Sequence, residues 1–277
     1  MLRSLQDLEG CALSATDGPI GHVTDCYFDD EQWVLRFLVV ETGSWLASRK
    51  VLISPYAIGQ PDWHAKVLPV SITREQVRSS PDVDTGQPVS RHHALQILSH
   101  FGFPSFWLGA GSWGSAEFPG AMLTGVGCDD SGAQYLAAQV AAAPVPELDS
   151  HLRSANALLR YHIEAGDGGL GPVKGLLFDE DGWEVRYLIV DTSNWWLGHP
   201  VLIAPAWIRE LRWADATISV LVNRRAVQDA PAYDPSVPLD REQEARLFAH
   251  HGRAAYWSGE VRRENAQFRA SRPTARY

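Results

Sequence analysis

The sequence predicts a mainly β protein built as two small β-barrels in tandem, each followed by a short C-terminal helix. Three observations point there. The chain repeats itself at a fixed offset of 150 residues. Each repeat opens with period-two strand patterns broken by Asp-Gly and acidic turns. The helical signals come late in each repeat.

The offset alignment runs without a gap from Leu2/Leu152 to Trp107/Trp257, with 33 identities in 106 positions. LRS at 2–4 recurs at 152–154, WVLRFLVVET at 33–42 as WEVRYLIVDT at 183–192, and VLISP at 51–55 as VLIAP at 201–205. Arg91, His100, Gly102 and Trp107 recur as Arg241, His250, Gly252 and Trp257. A period of domain size marks a duplication and not a solenoid. Repeat 1 then covers 1–107 and repeat 2 covers 151–257. Between them lies a Gly/Ala/Pro-rich linker, 108–150, with room for a short helix near 133–143. A basic tail, 258–277, is too poor in apolar groups to offset its ordering cost.

Within a repeat the elements follow in order. Leu13 and Ala15 alternate with Ser14, and Ile163 and Ala165 with Glu164, as in a half-buried strand. DGPIG at 17–21 and DGGLG at 167–171 are tight turns, where Gly supplies positive φ. The next strand runs to Phe28 or Phe178 and ends in an acidic turn. The strand starting at Trp33 or Trp183 is apolar on both faces in its second half, with Trp33, Leu35, Phe37 and Val39 on one side and Val34, Arg36, Leu38 and Val40 on the other. Such a strand needs cover on both sides. One face is assigned to a barrel interior and the other to the terminal helix or the sister repeat, so the repeats are expected to pair as an internal pseudo-dimer. Strands at 50–54 and around Leu68–Ile72 and Ile218–Val222 complete the set. Helical turns at 73–81 and 223–231 end before Pro. The terminal helices start at the caps Ser90 and Asp240 and stop at Gly102 and Gly252.

The net charge of −9 is uneven. Residues 1–110 carry 8 basic and 12 acidic side chains, 151–260 carry 11 and 15, and 261–277 carry five Arg and one Glu. The body repels nucleic acid and anionic lipid, leaving the tail as the only attractor. No run reaches the roughly 20 apolar residues of a spanning helix, and the N-terminus lacks a secretory core. Three cysteines, Cys11, Cys26 and Cys128, give no disulfide framework and favour a reducing cytoplasm.

Catalytic signals are missing. No nucleophile motif frames a Ser, and GDGGLG at 166–171 lies between two strands where a dinucleotide fingerprint needs a helix. The acidic turns Asp29-Asp30-Glu31 and Asp179-Glu180-Asp181 read as solvated hairpin turns rather than cation sites. His93, His100, His250 and His251 read as helix-end residues, not ligands. No cofactor, no metal and no enzymatic activity are expected. The candidate partner-binding residues are Trp45, Trp195 and Trp196, loop aromatics that serve either as anchors or as plugs. Beside them stand Arg49 and Lys50, replaced in repeat 2 by His199 and Pro200. Arg36 and Arg186 sit mid-strand, where they pair with a carboxylate such as Glu41, Asp191 or one nearby in space, or else contact a partner.

DGPIGHVTDCYFDDEQWVLRFLVVET followed by VLISP resembles the PRC-barrel domain, the β-barrel of the photosynthetic reaction centre H subunit and of the bacterial ribosome maturation factor. The whole chain resembles the tandem bacterial PRC-barrel proteins, through HLRSANALLRYHIEAGDGGLG and YDPSVPLDREQEARLFAHHGRAAYW in the second copy. The resemblance implies the barrel fold and a docking surface, and it carries over no catalytic residue. The H subunit's membrane helix is missing, which argues against anchoring. The expected function is a non-catalytic scaffold or adaptor that docks a protein partner. The alternatives are a ribosome- or nucleic-acid-associated factor using the Arg-rich tail, and a small-ligand sensor or enzyme with a site at the seam between the repeats.

Overall fold

The computed structural model describes residues 1–83, 89–107, 111–114, 118–119, 151–192 and 199–258. Among them the chain is mainly β, with two sheets and short helices. In repeat 1, β1 (Leu2–Ser4) leads into one helical turn, α1 (Leu5–Leu8). Then β2 (Ala12–Ala15), β3 (Gly18–Asp29), β4 (Val34–Thr42) and β5 (Lys50–Ile53) form an antiparallel meander, and β6 (Val67–Pro69) returns parallel to β2. Two helices follow, α2 (Arg74–Arg78), opened by a Thr73/Gln76 capping box, and α3 (Arg91–His100), N-capped by Ser90.

Repeat 2 runs through β7 (Leu152–Ser154), α4 (Ala155–Leu158), β8 (His162–Ala165), β9 (Gly168–Asp179), β10 (Val185–Val190), β11 (Val201–Ile203), β12 (Ile208–Arg212), β13 (Thr217–Val220), α5 (Arg224–Gln228) and α6 (Arg241–His250). The strand orders are β5-β4-β3-β2-β6 and β11-β10-β9-β8-β13-β12. Without β12 they are the same order. The sequence did not announce β12; repeat 1 has only the bridges Ile58↔Val70 and Asp62↔Val67 in its place.

The turn glycines explain themselves. Gly18 and Gly168 hold φ of +138° and +140°. A Cβ on Gly21 would lie 2.0 Å from the Glu41 carbonyl oxygen, and one on Gly171 would lie 1.9 Å from that of Asp191. The first strand of each hairpin therefore approaches the second more closely than any side chain permits.

Every residue from Val34 to Val40 is buried, so both faces of β4 are covered. Trp33 and Trp183, however, have φ of +57° and +56° and close the acidic turn. They do not start the strand, which begins one residue later in repeat 1, at Val34, and two later in repeat 2, at Val185.

The chain falls into two compact units that cut across the repeats. Unit 1 is Met1, Arg3–Leu159 and Gly175–Arg186, and unit 2 is Leu2, Arg160–Lys174 and Tyr187–Tyr277. Unit 1 thus contains repeat 1 together with β7, α4 and the Gly175–Arg186 hairpin of repeat 2. Inside it, β7 pairs antiparallel with the end of β3, in the register Tyr27↔Ser154, Phe28↔Arg153 and Asp29↔Leu152. β1 takes the corresponding place on β9. Each sheet therefore includes a strand from the other repeat.

Ser112 and Trp113, assigned by composition to the linker, are buried in unit 1. The expected linker helix near 133–143, Trp195, Trp196 and the tail from 259 onward lie outside the described residues.

Candidate functional site

Arg36 is the most unusual side chain of unit 1. It stands mid-strand in β4 and is fully buried. Its guanidinium donates to the Ser112 carbonyl and, at 3.0 Å, to Gln32 Oε1, and it lies 3.5 Å from the Asp29 carboxylate. The rings of Phe106 and Trp113 lie 4.4 and 5.0 Å from its centre. Burial pulls its pKa down to about 10 against the opposing pull of Asp29. It stays charged at neutral pH, and pairing plus aromatic contact offset the desolvation that an isolated buried cation would suffer.

The carboxylate partner is neither Glu41 nor Asp191. It is the first acid of the hairpin turn, Asp29, whose register partner Val34 stands two residues before Arg36 on β4. Repeat 2 repeats the solution in wetter form: Arg186, 22 % exposed, pairs with Asp179 at 3.5 Å and Glu184 at 2.5 Å. The Ser112 hydroxyl donates to the Glu184 carboxylate, and the Trp113 indole N–H donates to the Gly182 carbonyl at 2.8 Å. Segment 111–114 thereby joins Arg36 to the second hairpin.

The acidic turns are not simply solvated. Asp30 binds Arg153 Nε at 3.0 Å and His151 Nδ1 at 2.9 Å. Glu180 binds Arg3 Nε at 2.9 Å and faces the Met1 ammonium at 3.3 Å. For Glu180, burial raises the pKa, but Arg3 and the ammonium outweigh it and the net shift is down. Backbone bonds repeat the pattern, from Asp30 N–H to His151 O at 2.9 Å and from Glu180 N–H to Met1 O at 3.0 Å. Between the hairpins, Leu35 N–H donates to Trp183 O and Val185 N–H to Trp33 O, around the bridge Val34↔Glu184. Val34 and Glu184 are 150 apart, so each faces its own repeat counterpart. One link has no counterpart: Asp25 accepts from the Ser154 hydroxyl at 2.6 Å and from Asn156 N–H at 3.1 Å, whereas position 175 is Gly. Burial raises the Asp25 pKa more than these donors lower it.

Trp45 is half-buried in the loop after β4. Its indole donates to the Ile20 carbonyl at 2.6 Å, and Arg74 and Arg78 lie 4.3 and 5.9 Å from its ring. Arg49 pairs with Asp82 at 2.8 Å and donates to Arg78 O at 3.0 Å, while Lys50 is exposed opposite Glu41. Trp45, Arg49 and Lys50 thus share one end of repeat 1. Arg36 and Arg186 do not join them; they belong to the seam between the hairpins.

In unit 2 the corresponding polar cluster centres on Glu244, which is 2 % exposed. It accepts from Tyr187 at 2.9 Å and Tyr256 at 2.8 Å and pairs with Arg241 at 3.0 Å. Burial and the Glu244 charge push the Tyr187 pKa far up. The terminal histidines act as clips: His100 Nε2 meets Gln76 O at 2.8 Å, and His250 Nε2 meets Ala226 O at 2.7 Å. His251 packs 4.6 Å from the Trp207 ring. A recess of about 200 Å3 is lined by Leu202, Tyr233, Asp234, Val237, Arg246 and Leu247. Among the described residues, no cluster of three or more His, Cys, Asp or Glu is placed to hold a metal ion, and no helix is long and apolar enough to cross a membrane.

Sequence reasoning missed Ser112, Trp113 and Glu184. The Arg in the middle of an apolar strand was the available signal for a buried pair, and Asp29/Asp179 are identical between repeats. Trp113 stands in a Gly/Ser-rich stretch that gave no periodic signal. No family model matches the chain, and no curated protein matches it.

Proposed function

We propose that the chain is a non-catalytic assembly module: two PRC-type barrels held as an internal pseudo-dimer, docking a protein partner through loops at the outer ends of the barrels. The observation that carries this reading is the reciprocal strand exchange of β1 and β7, a mode of association in which one sheet is completed by a segment of another. The common strand order and the resemblance of the hairpin sequence support the barrel assignment. The polar groups most able to do chemistry, Arg36, Asp29, Glu184 and Glu244, are engaged with one another or with the backbone. Trp45 with Arg49 and Lys50 is the docking surface in repeat 1, since it combines a half-exposed aromatic with exposed charge. Free, buried Cys11 and Cys26 support a reducing compartment such as the cytoplasm.

The test is cross-linked capture from cell lysate on the full chain, with and without nuclease, against Trp45→Ala and Lys50→Glu variants of unchanged circular dichroism. A protein captured regardless of nuclease and lost with both variants is the expected result. Capture abolished by nuclease would transfer the role to the Arg-rich tail. Capture unaffected by either variant would remove the Trp45 end from the proposal.

A further inference from the structure

We propose that the seam between the two repeats is a self-sufficient interface, so that the chain remains one native particle when the connection between them is cut. This rests on the pairing reading above. Three observations carry it. The first is reciprocity. The bonds Leu35 N–H to Trp183 O and Val185 N–H to Trp33 O, and Asp30 N–H to His151 O and Glu180 N–H to Met1 O, come in pairs offset by 150. Such a pattern is that of an isologous dimer interface, in which one patch complements its own copy. The second is polar specificity. Arg153 and His151 fill the acidic turn of repeat 1, and Arg3 fills that of repeat 2. Asp25 adds a partly buried link to Ser154 and Asn156 on one side only.

The third concerns where the connection begins and ends. Ser112 and His151 are both fastened to the same hairpin, Ser112 through Arg36 and His151 through Asp30. The chain before and after residues 115–150 is therefore fastened to one hairpin. The partner that fits the seam face of repeat 1 is accordingly the β7–α4 segment and Gly175–Arg186 hairpin of repeat 2, recognised by an Arg-bearing extended strand against an acidic turn.

The experiment inserts a specific protease sequence between Gly132 and Ala133 of the full chain, cuts it, and follows the product by size exclusion and native mass spectrometry. Expected is a single species of uncut mass at about 1 µM, a concentration at which only an affinity tighter than micromolar keeps the halves together, with a melting temperature that stays above that of either separated fragment. Two separating or aggregating fragments overturn the inference. A site that resists the protease in the native chain also overturns it, because the connection is then part of what holds the halves. A parallel variant, Val34→Cys/Glu184→Cys in the uncut chain, reports on pairing alone. The flanking bonds make this a non-hydrogen-bonded antiparallel pair, whose Cα separation of about 4.5 Å suits a disulfide. If that disulfide forms while the cut fragments separate, the pairing reading stands and only the present inference falls.

Discussion

Gly21 and Gly171 occupy the same place in the two repeats, and in both the missing Cβ is what lets one strand pass over the next. An alanine there would drive a carbon to within 2.0 Å of a backbone oxygen, a clash that only backbone movement relieves. Gly21→Ala is therefore expected to cost more than about 2 kcal/mol, read as a lowered urea midpoint at unchanged slope. Gly10→Ala, at positive φ but in open space, should cost only about 1–2 kcal/mol, the strain of a left-handed backbone. Equal losses would refute the close-approach account. His251 supplies a second residue-scale effect. Burial against Trp207, with His250 and Arg253 nearby, lowers its pKa from 6.5 to about 4. Between those values the unfolded chain binds a proton that the folded chain does not. Its contribution to stability is complete above pH 6.5 and is lost as pH falls toward 4. His251→Phe keeps the ring contact and removes the titration. Its urea midpoint should fall less than that of the parent between pH 7 and pH 5, and an equal fall in both would remove His251 as the cause.

At the scale of elements, the strands, the terminal helices and the duplication were legible because each carries a local or periodic signal. The caps Ser90 and Asp240 and the stops Gly102 and Gly252 lie where the sequence placed them. What was not legible is which side chains meet across elements. Phe37 and Phe106 meet edge-to-face at 5.9 Å in repeat 1. At the aligned positions repeat 2 has Tyr187 and Tyr256, and Glu244 stands where repeat 1 has Ala94. The three differences form one hydrogen-bonded cluster, but in the alignment they look like unrelated substitutions. Segment 111–114 was lost for a different reason: a four-residue stretch has no periodicity to read. Its Trp113 nevertheless closes the space over Arg36 and Tyr56, with ring contacts of 5.0 Å to each. Trp113→Ala should cost about 3–5 kcal/mol and leave a cavity shaped for an indole. Added indole should then raise the melting temperature of the variant and not that of the parent, as scanning fluorimetry would report. A variant as stable as the parent would mean the segment merely rests on the surface.

At the scale of the molecule, the duplication has been used to make a compact unit, unit 1, out of parts of both repeats. Ion pairs in this chain should accordingly differ in worth by where they stand. Arg49–Asp82 is close, at 2.8 Å, but Asp82 is 93 % exposed, and a pair so wet contributes about 0–1 kcal/mol. Arg153–Asp30 is of similar length, 3.0 Å, with the two side chains 19 % and 8 % exposed. It also joins residues 123 apart in sequence, so it reports on whether the repeats are held together in the folded state. Asp30→Arg would set a new cation against both Arg153 and His151, and a loss of about 2–4 kcal/mol is expected, less than for removing one partner of a fully buried pair. Reversing the pair, with Asp30→Arg and Arg153→Asp together, should recover a large part of that loss, leaving His151 and Glu31 in an altered field. The coupling between the two substitutions in a double-mutant cycle is therefore expected above about 1 kcal/mol, outside the error of additivity for unconnected sites. The same cycle on Arg49 and Asp82 should give a coupling near zero, because an exposed pair gains little in the high dielectric of water and loses side-chain entropy to hold its geometry. If both cycles gave the same small value, the seam would be no tighter than an ordinary wet surface contact, and strand exchange alone would have to hold the repeats together.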